Sequence, residues 1–322
     1  MFVIINKSTD PYFNQAFEEY IFNNIKDDKV LIVWRNKPAV IVGCYQNICR
    51  EVDAYALKKA GIPIVRRMSG GGTVYHDLGN INYTLIHDKE GFIDYDDFVT
   101  PVIDALNRLG VKAHKDKTCD IAIGGKKISG SAQKVSSGRV LHHGTLLFES
   151  DLSVLDEITT RNKNESFISK AAESAICKVT NIKEAANTKL DIEGFMSAFS
   201  FEISGKSARC MELSEKELEE VLKLSEEKYK SWDWTWAKTP SFVFEKEGIF
   251  EGMPISISYS TKKGIVSDFK LSCELIDEKK ADVKAIEEIG AVKGTFTNAG
   301  QFQVIIGNDV PIFYNDFTAV SG

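Results

Sequence analysis

Hydrophobic and polar positions along the chain follow two periods, one typical of strands and one typical of helices. Val30–Trp34 and Ala39–Gly43 are short apolar runs rich in β-branched residues, and they predict two strands. Asp53–Ala60 predicts a helix ended by a glycine, and Ile62–Arg66 predicts the strand that follows it. Strands and helices therefore alternate through this part of the chain.

Further along, a helical spacing of apolar residues predicts a helix that Gly110 ends in the left-handed conformation; its buried face is Phe98, Val102, Leu106 and Leu109. Two hairpins are predicted next. The first joins Ile121–Ile123 to Lys127–Ser129 through Gly124-Gly125, and the second joins Ala132–Val135 to Val140–Phe148 through Ser136-Ser137-Gly138. Ser214 and Glu217 have the spacing of a capping box, and Leu213 with Leu218 that of a hydrophobic staple.

The pattern changes after the tryptophan-rich segment Trp232–Trp236 and Pro240. Beyond residue 245 it predicts short strands and one helix: Ile255–Tyr259, Gly264–Phe269, about Lys280–Ile289, and Phe302–Ile306. We therefore expect a large domain over residues 1–244 and a small α+β domain over residues 245–322.

Composition narrows the classes of function. The chain has 322 residues, of which 43% are hydrophobic and 27% charged, as in an ordinary globular protein. A net charge of -6 argues against a nucleic-acid binder, because phosphate neutralisation needs clustered positive charge. No apolar run approaches the roughly 20 residues of a membrane span. Without a signal-like start or a CxxC pair among six cysteines, a cytoplasmic protein with reduced thiols is predicted.

The strongest chemical signal lies between Arg66 and Asp77, where Gly70, Gly71 and Gly72 follow Arg66-Arg67-Met68-Ser69. Consecutive glycines let a ligand approach the main chain, whose N–H groups can bind an anion. Two arginines add fixed positive charge for a phosphate or carboxylate. Neither a Walker A loop nor a Rossmann fingerprint fits this segment. A glycine-rich surface turn with solvated arginines is the alternative.

Two further segments carry candidate chemistry. In Gly125–Ala132, Lys127 alternates with small residues, so its ammonium group can reach a pocket floor and stabilise negative charge. A solvated surface lysine is the alternative interpretation. In His142-His143-Gly144-Thr145, neighbouring histidines on a strand face opposite sides, so only one can face a given pocket.

These segments, in this order, resemble the signature of the lipoate–protein ligases, which share a fold with biotin ligases. The similarity starts at Asp10–Glu19 and continues through Leu31–Asn47, Arg66–Asn80, Asp120–Leu147 and Val179-Thr180-Asn181. It implies an α+β fold, sandwich-like, in which a large catalytic domain has mixed sheets flanked by helices.

The resemblance also implies a site. Lys127 would be the catalytic residue, touching both the lipoyl carboxyl oxygen and the α-phosphate, and Asp120 would hold Mg²⁺. The pocket for ATP and lipoyl-AMP would comprise Arg67, Ser69, Gly70, Gly71, Gly72, Thr73, Val74, Tyr75, His76, Asn80, Asp120, Lys127, Ser131, Ala132, His143, Gly144 and Thr145.

The activity implied has two steps, in which lipoic acid is activated with ATP and then transferred to a lysine of a lipoyl carrier. The carriers implied are the lipoyl domains of 2-oxoacid dehydrogenases or the glycine-cleavage H protein, with no nucleic acid and no membrane involved. Cys44 and Cys119 depart from the residues usual in the family, and Ser174–Lys178 replaces an arginine-rich stretch of many relatives.

Three alternatives remain open at the level of sequence. Cys177, next to Lys178, suits a cysteine-dependent octanoyl or lipoyl transferase that forms a thioester without ATP. A non-catalytic module that binds lipoate or nucleotide is the second. Biotin in place of lipoate is the third.

Overall fold

The computed structural model describes residues 1–26, 28–88, 93–136, 138–154, 165–168, 171, 177–250, 253–274, 282–288, 292–298 and 301–306. Two compact units are present. The first comprises Met1–Thr160 with Ala172–Thr235, and the second comprises Arg161–Ala171 with Trp236–Gly322. The domain boundary at residues 244 and 245 stays a prediction.

Seventeen strands are found in the described residues. They are β1 (Phe2–Ile5), β2 (Val30–Trp34), β3 (Ala39–Val42), β4 (Ile64–Arg66), β5 (Val74–His76), β6 (Asn80–Asp88), β7 (His114–Asp116), β8 (Asp120–Ile123), β9 (Lys126–Ser136), β10 (Arg139–Leu147), β11 (Glu165–Ile168), β12 (Arg209–Cys210), β13 (Phe242–Phe250), β14 (Met253–Lys262), β15 (Ile265–Glu274), β16 (Val292–Asn298) and β17 (Gln301–Ile306).

The helices are mostly short. They are α1 (Pro11–Asn24), α2 (Ile48–Glu51), α3 (Ala54–Lys59), α4 (Asp96–Arg108), α5 (Ile182–Ala185), α6 (Ile192–Ser204), α7 (Glu215–Leu224), α8 (Trp232–Thr235) and α9 (Val283–Glu287), with a π-helical turn over Ser225–Tyr229. Within this described set, no helix is long and apolar enough to cross a membrane.

The first unit is built on an eight-stranded mixed sheet in the order β12-β1-β2-β6-β10-β9-β8-β7. Strand β2 shows how it is covered, because all five of its residues are buried and alternate between two cores. Leu31 and Val33 belong to the core that contains α4 and α6. Ile32 and Trp34 face the other core, which contains α1 and part of α7. Helices therefore cover both faces of this sheet.

A small three-stranded sheet, in the order β4-β3-β5, belongs to the same unit. Ile41 of β3 and Val74, which begins β5, pack into the core on the Trp34 face of the large sheet. The second unit contains a six-stranded sheet in the order β11-β13-β14-β15-β17-β16. This combination of mixed sheets and flanking helices confirms the predicted α+β fold.

Local signals were accurate where one residue type sets the backbone. Asp10 begins α1 by accepting hydrogen bonds from the amides of Tyr12 and Phe13. The capping box of Ser214 and Glu217 is formed, and Gly110 adopts φ 79° at the end of α4. The predictions for Ser214, Glu217 and Gly110 are confirmed, since each rests on contacts within one turn of chain.

The prediction of two separate hairpins is wrong in one respect. Residues 127–129 and 132–135 belong to one eleven-residue strand, β9, which pairs with β8 on one side and β10 on the other. Gly124 and Gly125 form the first turn with φ 55° and 75°, as predicted. Ser137 in the second turn lies outside the described residues.

Candidate functional site

A cavity of about 360 Å³ lies in the first unit, between the two sheets. Its floor follows a row of neighbouring residues across five strands of the large sheet. Trp34 pairs with Asn82 and Asn82 with Thr145. The amide of Gly130 then lies 3.3 Å from the Thr145 hydroxyl, and Gly130 pairs with Asp120. This row gives the cavity an apolar end at Trp34 and a charged end at Asp120.

Lys127 lies at the charged end. Its Nζ is 2.8 Å from Asp120 Oδ1, and its side chain is 24% exposed, so the ammonium group is reachable from the cavity. Gly130 provides the room, because a Cβ at that position would lie 2.8 Å from Lys127 Nζ. The side chain is thus held over a glycine by one carboxylate.

A register shift places Lys127 on this face. Asp120 pairs with Gly130, but Ala122 pairs with Lys127, because β9 holds one extra residue at this point. Cross-strand partners share a face, and Asp120 and Ala122 share one on β8. Lys127 and Gly130 therefore face the same side although they are three residues apart. A regular strand would have pointed Lys127 away from the cavity.

The main chain of Lys127 is held from a second direction. Its amide donates to the carbonyl of Lys178 at 2.9 Å, and its carbonyl accepts from the amide of Thr180 at 3.0 Å. Val179 forms a parallel bridge with Lys127. The segment that follows Cys177 thus lies beside the candidate catalytic lysine.

The triglycine loop, residues 70–72, forms another wall of the cavity, and the side chain of Arg67 holds this loop through hydrogen bonds. Arg67 Nη2 donates to the carbonyls of Gly70 and Gly72 at 2.5 and 2.7 Å, while Nε donates to the Ser69 hydroxyl at 3.0 Å. Gly71 has φ 84°, a conformation that favours glycine. Burial lowers the pKa of Arg67 to about 10, so the guanidinium stays charged at neutral pH.

Arg66 does not serve the cavity, which corrects the expectation that both arginines are free for an anion. Its side chain is fully buried. Nη1 donates to the carbonyls of Gly43, Cys44 and Gln46, and Nε donates to that of Thr235. Successive residues on β4 face opposite sides, so Arg66 ties β4 to the neighbouring loop.

A buried polar chain supports the wall around His143. Glu18 Oε1 lies 3.0 Å from His143 Nδ1 and accepts the hydroxyl of Thr84. On the other side of the ring, His143 Nε2 lies 2.6 Å from the hydroxyl of Ser69. Because a carboxylate only accepts, Nδ1 carries a proton, and in the neutral ring Nε2 accepts from Ser69. Glu18 thereby orients the ring toward the cavity.

His142 faces the opposite core, as the alternation along β10 predicts. Its ring stacks on Phe98 with centroids 4.9 Å apart, and it lies 6.2 Å from the ring of Tyr83. Burial lowers its pKa to about 3, with a smaller contribution from His143. It is a neutral core residue.

Most of the residues predicted for the site line the cavity: Arg67, Gly71, Gly72, Thr73, Val74, His76, Asp120, Lys127, Ser131, Ala132, His143, Gly144 and Thr145. Ser69, Gly70, Tyr75 and Asn80 do not. Ser69 supports His143, and Gly70 accepts from Arg67. Tyr75 alternates with its cavity-lining neighbours on β5, and Asn80 donates to the Asn82 side chain at 2.9 Å.

Several residues that line the cavity were not predicted from the sequence: Gln15, Trp34, Ile41, Asn82, Lys117, Thr118, Cys119 and Gly130. Asn82 had a local signal, because it lies two residues after Asn80 and so faces the same side of β6. Trp34 and Ile41 looked like ordinary buried strand residues. Their place at the cavity depends on the packing of two sheets.

Comparisons with known proteins agree with this geometry. Residues 10–204 match the model of the lipoyl protein ligase A/B catalytic domain. The chain belongs to this family. The lipoate–protein ligase 1 of Staphylococcus aureus is 37% identical over 276 residues, which is 84% of this chain and 83% of that protein.

Two solved structures of lipoate ligases share the fold. A Thermoplasma acidophilum protein described as a lipoate protein ligase, with lipoic acid bound, aligns with a TM-score of 0.62 and 26% identity. The alignment covers 73% of this chain and 98% of the Thermoplasma acidophilum chain. A lipoate-protein ligase A bound with ATP has the same TM-score, 25% identity, and coverage of 73% of this chain and 97% of that one.

Proposed function

We propose that this chain is an ATP-dependent lipoate–protein ligase that activates lipoate as lipoyl-AMP and transfers the lipoyl group to a carrier lysine. Family membership and the ligase relatives support the activity. Neighbours solved with lipoic acid and with ATP support the two small substrates. The observation that carries the assignment in this molecule is the Lys127 ammonium, set over Gly130 at the charged end of the cavity.

In the first step, a carboxylate oxygen of lipoate attacks the α-phosphorus of ATP. An oxygen–phosphorus bond forms, the bond to the β-phosphate oxygen breaks, and pyrophosphate leaves with its electron pair. Lys127 contacts both the carboxylate and the α-phosphate, so it reduces their repulsion and stabilises the added charge of the transition state. Arg67 acts through the triglycine loop, which it holds against the nucleotide.

In the second step, the ε-amine of a carrier lysine attacks the carbonyl carbon of lipoyl-AMP. An amide bond forms, AMP leaves with the electron pair of the anhydride bond, and the amine proton passes to solvent. No nucleophile of the enzyme is needed, because positioning and charge stabilisation supply the rate. The carriers we propose are lipoyl domains of 2-oxoacid dehydrogenases or the glycine-cleavage H protein.

Mg²⁺ is part of this proposal, and the donor set at Asp120 fits it. The residues described in the structure hold no cluster of three or more metal ligands. Mg²⁺ usually binds through one or two carboxylates together with substrate phosphates and water, so a lone carboxylate beside the phosphate site is sufficient. Asp120 would hold the ion, which would neutralise phosphate charge.

A cytoplasmic location also belongs to the proposal. The cysteines that can be described, Cys44, Cys49, Cys119, Cys177 and Cys210, are all free thiols. Free thiols are typical of proteins in a reducing compartment.

The activity is tested by incubating the protein with ATP, Mg²⁺, lipoate and each of two carriers, followed by mass spectrometry of the carriers. We expect one lipoyl group per carrier, and pyrophosphate release that requires lipoate. Lipoylation without ATP would contradict the ligase assignment, and so would ATP consumption with biotin but not with lipoate.

A transferase that uses Cys177 is the second candidate, and the position of the segment after Cys177 beside Lys127 is the observation in its favour. The comparisons do not favour it, because the relatives are ligases and one neighbour binds ATP. Cys177→Ser separates the two, since a ligase should keep its full rate while a thioester-forming transferase should lose all activity.

A further inference from the structure

Three polar side chains at the cavity are almost fully buried, yet each keeps one atom without a hydrogen-bond partner in the described part of the protein. They are His76 at Nε2, Asn82 at Nδ2 and Gln15 at Oε1. The exposed fractions of these residues are only 4%, 2% and 2%. All three residues line the cavity. Buried polar groups without a partner are costly, so a ligand that satisfies them gains affinity.

Hydrogen bonds around His76 determine which ring nitrogen carries its proton. Asn14 Nδ2 lies within 3.0 Å of the carbonyls of Ser8 and Arg35, which only accept, so this atom of Asn14 is the donating NH₂ group. It lies 2.8 Å from Asn36, and because an amide NH₂ group does not accept, the Asn36 atom that faces it is the oxygen Oδ1, which shares one of its two hydrogens. The NH₂ group of Asn36 then faces His76 Nδ1 at 3.0 Å. His76 Nδ1 must accept, and the proton of the neutral ring is on Nε2.

The ring is also neutral. Burial lowers the pKa of His76 to about 3, and electrostatic interactions with Arg67 and His143 lower it further. At physiological pH, His76 therefore carries a single N–H donor at Nε2, on a ring that lines the cavity.

This donor lies at the apolar end, far from Lys127. The rings of His76 and Trp34 meet edge to face with centroids 6.0 Å apart, and Trp34 is the cross-strand neighbour of Asn82. From β2, which carries Trp34, to β9, which carries Gly130, there are three strand intervals, or about 14 Å. An acid with its carboxylate at Lys127 therefore extends its tail toward His76 and Asn82.

We propose that His76 Nε2–H donates a hydrogen bond to a sulfur of the dithiolane ring and thereby selects lipoate over octanoate. The proposal rests on the proposed function for the position of the carboxylate. Divalent sulfur is a weak acceptor. An alkyl tail of similar size accepts nothing and leaves the buried His76 donor unpaired.

The direct test measures the dissociation constants of lipoate and octanoate by calorimetry, without ATP, for the wild-type protein, His76→Leu and His76→Gln. We expect the wild type to bind lipoate more tightly. His76→Leu should reduce the ratio of the two affinities by about tenfold, mainly through lipoate, while His76→Gln, which keeps an N–H donor, should restore part of it. An unchanged ratio in His76→Leu would overturn the proposal.

Asn36→Asp tests the positioning role of Asn36 with nearly the same shape. A carboxylate only accepts hydrogen bonds. At a pH above the usual pKa range of histidine, the proton of the His76 ring should therefore move to Nδ1, and the selectivity for lipoate over octanoate should fall as in His76→Leu. Nitrogen-15 spectra of the five histidines, with His76→Gln to assign the signal, should show an Nε2–H ring in the wild type and an Nδ1–H ring in the variant. An Nδ1–H ring in the wild type would refute the inference.

These readouts separate the two proposals. Selective binding of lipoate without lipoate-dependent pyrophosphate release would refute the ligase function and leave the role of His76 intact. Lipoate-dependent pyrophosphate release, together with equal affinity for lipoate and octanoate, would support the ligase function and refute the role of His76.

Discussion

At the scale of single residues, the site depends on which side chains have hydrogen-bond partners and on which positions carry a glycine. Lys127 reaches the cavity because Gly130 has no Cβ, and His143 is fixed because Glu18 accepts from its ring. Both effects are local and steric or electrostatic in origin. They lead to two predictions: a substitution at Gly130 should lower activity but not stability, and a substitution at Glu18 should lower stability.

Gly130→Ala should reduce activity without unfolding the protein. The new Cβ would lie 2.8 Å from Lys127 Nζ and 2.9 Å from Cε, so the flexible end of the lysine must move. We expect lipoyl-AMP formation to fall at least about tenfold while the free energy of unfolding changes by less than about 1 kcal/mol.

Gly294→Ala, at a strand glycine where a Cβ would meet nothing within 4 Å, is the matched control and should be active. Equal activity of the two variants in pyrophosphate release would show that Lys127 does not need its present position.

Glu18→Ala should destabilise the protein. It removes a buried acceptor, only 1% exposed as a residue, and leaves the Thr84 hydroxyl and His143 Nδ1–H unpaired. We expect a loss of about 2–3 kcal/mol in chemical denaturation.

The control is Glu149→Ala, whose carboxylate pairs with Lys183 at the surface with a side chain 57% exposed. It should change the free energy of unfolding by less than about 0.5 kcal/mol. Similar losses in the two variants would contradict the structural role of Glu18.

At the scale of secondary structure, the β8–β9 hairpin sets the direction of Lys127. Its turn uses positive φ at both Gly124 and Gly125, a type I′ geometry in which asparagine is tolerated first and glycine is preferred second. Gly124→Asn should therefore be nearly neutral, and Gly125→Ala should cost about 1 kcal/mol. Denaturation of both variants checks this, and equal costs would argue against the turn type.

The elements differ in how far the sequence predicted them. The helix at Ala54–Lys59 and the turn at Gly124-Gly125 were predicted because Asp53, Gly124 and Gly125 act within a few residues of chain. The extra residue in β9 was not, because nothing near Ile128 in sequence indicates a register shift. It depends on pairing with β8 and on the segment at Lys178.

The candidate site shows the same limit. Arg67, Gly71 and Lys127 lie in motifs that can be read along the chain. Trp34 and Asn82, in contrast, are brought to the cavity by the pairing of β2 with β6. Arg66 belongs to the same motif as Arg67, but its side chain points away from the cavity. Which residue of a motif faces the ligand depends on the register and packing of the sheets.

At the scale of the whole molecule, buried neutral histidines link stability to pH. His76 and His142 each have a pKa lowered from 6.5 to about 3, so in this interval the unfolded chain binds protons that the native protein excludes. Stability should therefore be full above pH 6.5 and decrease as the pH falls from 6.5 toward 3.

Denaturant titrations at several pH values test this. His142→Phe removes one titrating group from the aromatic core and should make the slope of unfolding free energy against pH shallower below pH 6.5. His114→Gln, at an exposed position of β7, is the control and should leave the slope unchanged. The same slope in His142→Phe as in the wild type would show that His142 already titrates normally in the native state.

The role of Lys127 is tested most directly by forming lipoyl-AMP and pyrophosphate from ATP, Mg²⁺ and lipoate in the absence of any carrier. Lys127→Ala should lower the rate by at least about a hundredfold with an unchanged melting temperature, while Lys126→Ala, at the exposed neighbouring position, should match the wild type. A folded Lys127→Ala protein that forms lipoyl-AMP at the wild-type rate would contradict the account.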